Sequence, residues 1–413
     1  MISTQGMFKF AVAASFLGLA GSASAEPLKI AIIDAFTGPV AIIAKPFAEG
    51  TRYAVKKINA AGGFNGQPIK LLEYDNQSSP AVAADKLKQA IADGAKIISQ
   101  TSSSAIGAQI TEDVRKYNER NPGKEVIFFN NGGEAYDYTA ERCHFYYFKL
   151  ATNAFIRYSA IVKTMKGKGV LGSKIYTINP NYSYGQESQV AQIQSAKEAG
   201  AEVVGSDLHD LLKVQDFSPY IGKVKASGAQ TILTSDWGTD IILMLRALGD
   251  AGLKIPVGNQ SLDTPGTLAS AGTAAEGAIL AKLYNTNIEK GHALNEDFKK
   301  EYGHLPAGEE PTSIFAFGLL GNALKMVDFK GGAIDAKQIA LAIEKASFDT
   351  PGGKWSIRKE DHQVLLPVYI SEVSKAAKDK HDGTQYGFKI ITVVSPEESA
   401  VPVSPKCKMQ RPS

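Results

Sequence analysis

What most constrains this chain is an alternation. Short apolar, β-branched runs recur along it, each followed by a turn of glycine or polar residues and then by a pattern of helical period. Residues 28–34, 69–74, 96–100 and 126–129 read as strands, with helical patterns at 49–61, from Pro80 through Ile91, and from Ala105 to about Asn118. A second series follows with a helix at 155–166, strands at 174–179, 202–207, 230–235 and 255–258, and a long helix ending at Ala199. Strands joined through helices pair in parallel, so the expected fold is α/β with two Rossmann-like, doubly wound lobes. A chain of 413 residues, 44% of them hydrophobic, can bury more than one core.

Residues 1–25 differ in kind. Lys9 precedes an apolar run over 10–20, and Ala23-Ser24-Ala25 offers a small-x-small cleavage site before Glu26. The run is too short to span a bilayer, so a secretory signal peptide removed after Ala25 is expected, with Met7 as an alternative start. No cysteine follows the cleavage site to carry a lipid, and no later apolar segment is long enough to cross a membrane. The expected location is therefore the periplasm. A formal net charge of +3 with dispersed lysines argues against nucleic acid as a partner. Cys143 and Cys407 are the only cysteines, and in an exported chain they are expected to pair and tie down the tail from Ser395.

In a parallel sheet the turns at the carboxyl ends of the strands gather on one side, where small ligands bind. Ser102, Ser103 and Ser104 fill one such turn and lead into a helix. Hydroxyls and free N–H groups at a helix N-terminus favour a carboxylate, which makes this turn the expected ligand seat; the alternative is that a serine here is only the N-cap. Asn131 and Gly132 lie in a second such loop, with Glu134 beside them. Phe36, Tyr182, Tyr184 and Trp237 end other strands and would wall a cleft with rings, unless they belong to the core. Gln260 follows the strand at 255–258. The turn after the first strand carries no G-x-G-x-x-G, Ser102 is not in a G-x-S-x-G, and the chain has no P-loop or H-E-x-x-H, which counts against a nucleotide enzyme or a hydrolase. The six histidines are expected on the surface or in loops, and no cofactor, metal or catalytic residue is expected.

Several strings together resemble a known family: Phe36-Thr37-Gly38-Pro39, Ile58-Asn59-Ala60-Ala61-Gly62-Gly63-Phe64-Asn65-Gly66, Asp75 with Pro80, the triple serine, and Tyr184-Gly185. The family is that of the periplasmic leucine/isoleucine/valine-binding proteins, solute-binding components of ABC importers. The resemblance implies a type I periplasmic-binding fold with three hinge crossings, lobe 1 from 26–150 and 282–354 and lobe 2 from 151–281 and 355–413. It also implies that Ser102 meets a ligand carboxylate, that Tyr184 and Trp237 reach the cleft, and that a permease with its ATPase receives the loaded protein, expected to be a monomer. Members that bind amino acids place an acid against the ligand ammonium where this chain has Gln260, and a hydroxyl residue where it has 131–134. A buried ammonium without a carboxylate is costly, so the expectation leans to an aromatic acid of benzoate or cinnamate type. A branched-chain or other amino acid is the alternative ligand. A sensor reporting to a membrane receptor and an enzyme acting on a small acid in the cleft are the alternative functions.

Overall fold

The computed structural model describes residues 1–2, 26–306, 308–329 and 333–412. Apart from Met1 and Ile2, the expected signal peptide lies outside the described residues. Among the described residues no helix is long and apolar enough to cross a membrane.

The first lobe runs β1 (Lys29–Asp34), α1 (Ala41–Ala60), β2 (Lys70–Asp75), α2 (Pro80–Ala92), β3 (Ile97–Ser99), α3 (Ser104–Arg120), β4 (Ile127–Asn130) and β5 (Tyr147–Lys149). The strands form an all-parallel sheet in the order β2-β1-β3-β4-β5. β3 and β4 are buried throughout, as their unbroken apolar runs require when helices cover both faces. The winding reverses between β1 and β3, so the carboxyl ends of these two strands open onto a crevice.

The second lobe repeats this plan with α4 (Ala154–Gly167), β6 (Lys174–Pro180), α5 (Ser183–Glu198), β7 (Glu202–His209), α6 (Ser218–Ser227), β8 (Thr231–Thr234), α7 (Thr239–Asp250), β9 (Val257–Asn259), α8 (Thr267–Ala271) and β10 (Ile279–Lys282). Its parallel strands lie in the order β7-β6-β8-β9-β10, with the reversal between β6 and β8.

The chain then adds α9 (His292–Tyr302), α10 (Glu310–Leu324), α11 (Ala336–Ile343), β11 (Ser347–Thr350), β12 (Gly353–Ile357), β13 (Val364–Leu365), β14 (Val368–Ser374) and β15 (Gly387–Val394). α10 is buried on nearly every side because it packs on α1 of the first lobe and against the small sheet β11-β12-β13. Gly50 permits that approach: a Cβ there would lie 2.3 Å from the Glu310 carbonyl oxygen. β14 and β15 extend the second sheet antiparallel from β10, to seven strands.

The structure departs from the expectations in four places. α1 starts at Ala41, well before Glu49, with Pro46 inside it. Proline forfeits one helical hydrogen bond, and the buried stripe Ala41, Ala44, Phe47, Ala48 holds the early turns regardless. Trp355, the expected last crossing, sits instead in β12, fully buried with its ring 5.7 Å from Phe315 of α10, and the chain rejoins the seven-stranded sheet only at β14. The tail leaves that sheet after β15 and returns to the first lobe, where the Cys143–Cys407 disulfide and the Arg411–Glu344 ion pair hold it. Finally, His144, His209 and His362 are buried, each hydrogen bonded to a side chain.

Candidate functional site

The two crevices meet at a cavity of about 80 Å³, lined from both lobes. Ile43 and Phe47 of α1, residues 101–104, and the 132–134 loop line one side; Tyr182, Tyr184, Trp237, Gln260 and Ser261 line the other. Ala151, Arg157, Lys282, Glu309 and Thr312 close it near the crossings between lobes.

The serine turn is built on a buried acid. Asp34, the last residue of β1, is fully buried and accepts the N–H groups of Ala35 and Thr101, each at 2.9 Å, and the hydroxyls of Thr101 and Ser102. Burial pushes its carboxyl above the usual range, against the pull of those four donors. Ser103 is the N-cap of α3, its Oγ accepting the Ile106 N–H at 3.4 Å. Gly132 brings the neighbouring loop in close, since a Cβ there would lie 2.7 Å from the Thr101 Cα.

Charges of both signs line the cavity. The Arg157 Nε donates to the two Glu134 oxygens at 2.9 and 3.1 Å, the Thr152 hydroxyl donates to Glu134 at 2.8 Å, and the Arg157 Nη1 donates to the Ala281 carbonyl at 2.5 Å. Lys282 reaches Glu309 at 2.8 Å and Asp263 at 3.2 Å. Burial alone would lower its pKa, but these two acids hold it above the ordinary lysine value. Among the side chains lining the cavity Glu134 and Glu309 match Arg157 and Lys282 in number, and Asp263 adds a further negative charge beside Lys282 from outside the lining.

The aromatic wall is organised by hydrogen bonds. The Trp237 Nε1 donates to the Tyr182 hydroxyl at 3.1 Å, and the Tyr182 and Tyr184 rings lie 6.0 Å apart. Beside Trp237, Asp236 is buried and bonded to the His209 Nε2 at 2.8 Å. On the cavity side, the Gln260 Oε1 is buried and accepts no hydrogen bond from the described residues. Across the lobes, Glu187 of α5 accepts the Tyr136 N–H at 2.6 Å, and the Tyr136 and Phe155 rings meet at 5.2 Å.

Of the residues singled out from sequence, Ser102, Ser103, Gly132, Tyr182, Tyr184, Trp237 and Gln260 come together on this cavity. Phe36 does not line it: its backbone N–H donates to Asp75 at 3.0 Å, and the early start of α1 supplies Ile43 and Phe47 instead. Asn131 lies behind the lining, fully buried, accepting from Ser99 and donating to Ser313, each at 2.7 Å. Sequence reasoning missed Asp34, Arg157, Lys282 and Glu309. The signal was present for two of them: Asp34 closes an apolar strand, and Arg157 interrupts the apolar stripe of α4. Away from the cavity, Glu49, His304 and Glu310 form one trio among the described residues with ligand atoms within 4.8 Å of one another.

Residues 27–380 match the family described as periplasmic binding protein. The Leu/Ile/Val-binding protein homolog 4 of Brucella melitensis is 47% identical over 415 residues, covering 100% of both chains. The crystal structure of the leucine-, isoleucine-, valine-, threonine-, and alanine-binding protein from Brucella ovis, in a closed conformation, is 47% identical. It superposes with a TM-score of 0.90 over 94% of this chain and 100% of that one. A solute-binding protein of an R. palustris ABC transporter, solved in complex with benzoate, shares the fold at a TM-score of 0.78 and 19% identity, over 93% of this chain and 100% of that one.

Proposed function

The chain belongs to the periplasmic binding protein family, with a type I fold, and on that premise we propose that it captures a small aliphatic α-amino acid between its lobes for an ABC importer. The observation that carries this reading is the charge balance of the lining, Glu134 and Glu309 against Arg157 and Lys282. A zwitterion matches a lining that has charges of both signs in equal number, whereas a lone anion would be buried without compensation. The unbonded Gln260 Oε1 offers an acceptor for an ammonium hydrogen, so the missing acid at this position is less costly than the sequence alone suggests. The names of the Brucella relatives, leucine among them, agree with this reading.

Capture works by differential affinity. A ligand touching the serine turn on one side and Tyr184 and Trp237 on the other stabilises the closed arrangement over the open one by the contacts that only closure completes. A signal peptide at 1–25 would deliver the chain to the periplasm, and a permease with its ATPase would receive the loaded form.

A second reading, an aromatic carboxylate, is favoured by the ring wall of Tyr182, Tyr184 and Trp237. One screen separates the two. Thermal unfolding with leucine, valine, alanine, benzoate and 4-hydroxybenzoate should show the midpoint rising with an aliphatic amino acid, since a binder stabilises the folded state by mass action. A rise with benzoate alone replaces the first reading by the second.

A further inference from the structure

We infer that residues 395–412 splint the last crossing between the lobes, and that this splint, fastened by the Cys143–Cys407 bridge, holds the lobes in the closed arrangement. The inference needs two lobes that close on a solute and is independent of which solute that is.

The last crossing is short. β13 of the small sheet ends at Leu365 and β14 of the seven-stranded sheet begins at Val368, so only Leu366 and Pro367 lie between them. Val394, the last residue of β15, pairs with Val368, and the tail therefore leaves the second lobe beside the point where the crossing enters it. It then turns through α12 (Pro396–Ser399), where the Ser395 hydroxyl accepts the Glu398 N–H at 3.3 Å and the Glu398 carboxylate accepts the Ser395 N–H at 3.2 Å. This capping box keeps in shape a single turn too short to persist by itself. The buried Ser399 hydroxyl donates to the Leu366 carbonyl at 3.0 Å, which bonds the tail directly to the crossing. α12 packs on α4 of one lobe and on β12 and β13 of the other.

Beyond α12 the tail is fastened to the first lobe. Arg358, just after β12, donates from Nη1 to the Val401 carbonyl at 2.6 Å, while its Nε and Nη2 hold Asp361 at 2.9 and 2.6 Å. Cys407 is bonded to Cys143, and Arg411 pairs with Glu344 and lies over the Phe145 ring, 5.4 Å from its centroid. Between Val394 on one lobe and Val401 on the other, the backbone with α12 intact reaches less than about 20 Å. Rotation of the lobes about the crossing must therefore pull α12 from one of its seats, break the Ser399 or Arg358 bond, or unwind the turn. All these contacts are present where both lobes line the cavity, so they favour the closed arrangement by what opening costs them. The family match ends at residue 380, and the splint lies outside the matched part of the chain.

The test asks whether the splint governs opening in ligand-free protein. The Tyr136 N–H, bonded to Glu187 across the lobes, reports closure by its hydrogen exchange. Two full-length variants loosen the splint from opposite ends: Cys143→Ser/Cys407→Ser releases its fastening, and Ser395→Gly/Ser399→Gly removes the cap and the bond to Leu366. Neither touches the cavity lining. In both, Tyr136 should exchange about fivefold faster or more while amides of the buried strand β8 do not change, and small-angle scattering should show a larger radius of gyration. Affinity for L-leucine should fall by a similar factor, because a smaller fraction is closed. Native exchange rates in both variants overturn the inference. So does acceleration in the cysteine variant alone, which would assign the bridge to local support of residues 136–143, or equal acceleration of Tyr136 and β8, which would be general destabilisation. If the cysteine variant does not fold by circular dichroism, the glycine variant decides alone. Failure of L-leucine to bind any of these chains overturns the proposed function and leaves the splint standing, since exchange and scattering use no ligand.

Discussion

His144 illustrates at the scale of one residue what burial does to a titratable group. Its Nε2 lies 3.0 Å from the Thr111 hydroxyl, and burial, aided by the nearby charge of Arg115, pushes its pKa down to about 3. Between the ordinary histidine value and about 3 the unfolded chain takes up a proton that the folded chain refuses, so stability falls as pH falls through that window. Denaturation at pH 7 and pH 4.5 should show His144→Gln losing about 2–3 kcal/mol less than the native chain on acidification. An equal loss in both would mean that the imidazole is not held neutral. Gly132 is a second single-residue test. The Cβ of Gly132→Ala would come within 2.7 Å of Thr101 backbone atoms, so the variant should displace the serine turn and weaken ligand binding more than it lowers the unfolding midpoint. At this scale the sequence was readable where chemistry follows from position, as for Ser102 and Trp237 at strand ends. It was not readable for Phe36, because which ring reaches a cleft depends on how far the next helix extends.

Elements position these residues, and their ends do much of the work. α3 begins where Ser103 caps it, so Ser103→Ala should cost about 1 kcal/mol of stability, measured by urea unfolding. In α5 the informative residue is Glu187, whose carboxylate takes the Tyr136 N–H at the start of the short turn Tyr136–Thr139 in the opposite lobe. This bond exists only when the lobes are together. Glu187→Ala should therefore weaken ligand binding about fivefold while leaving the unfolding of ligand-free protein nearly unchanged; a large drop in ligand-free stability would mean that it serves the fold and not closure. The parallel strands β1–β4 and β6–β9 and the helices α1–α5 were legible because a buried parallel strand must be continuously apolar and a covering helix must carry a stripe. The first two turns of α1 were hidden by Pro46, a breaker by composition that a buried stripe overrides.

On the scale of the whole molecule, the tail is a further connection between the lobes. β15 belongs to the seven-stranded sheet, yet Cys407, beyond it, is bonded to Cys143 between β4 and β5 of the first lobe. The bridge closes a sequence separation of 264 residues, and loop-closure entropy puts its contribution at up to about 5 kcal/mol. Cys143→Ser/Cys407→Ser should lower the unfolding midpoint accordingly, and an unchanged midpoint would assign the tail's anchoring to Arg411 and Glu344.

The order of strands and helices through β9, the two-lobed plan and the place of the serine turn at a strand end follow from sequence, since each is written in local period and in residues that only turns accommodate. The pairing of Cys143 with Cys407 was also foreseeable, as no other cysteine is available. Tertiary structure decided the rest. Glu134 meets Arg157 and Lys282 meets Glu309 because the reversals of two sheets are brought face to face, and Asp34 lies under Ser102 because β1 and β3 are neighbours in one sheet. The net charge of a cavity is a sum over residues distant in the chain, and no local pattern contains it.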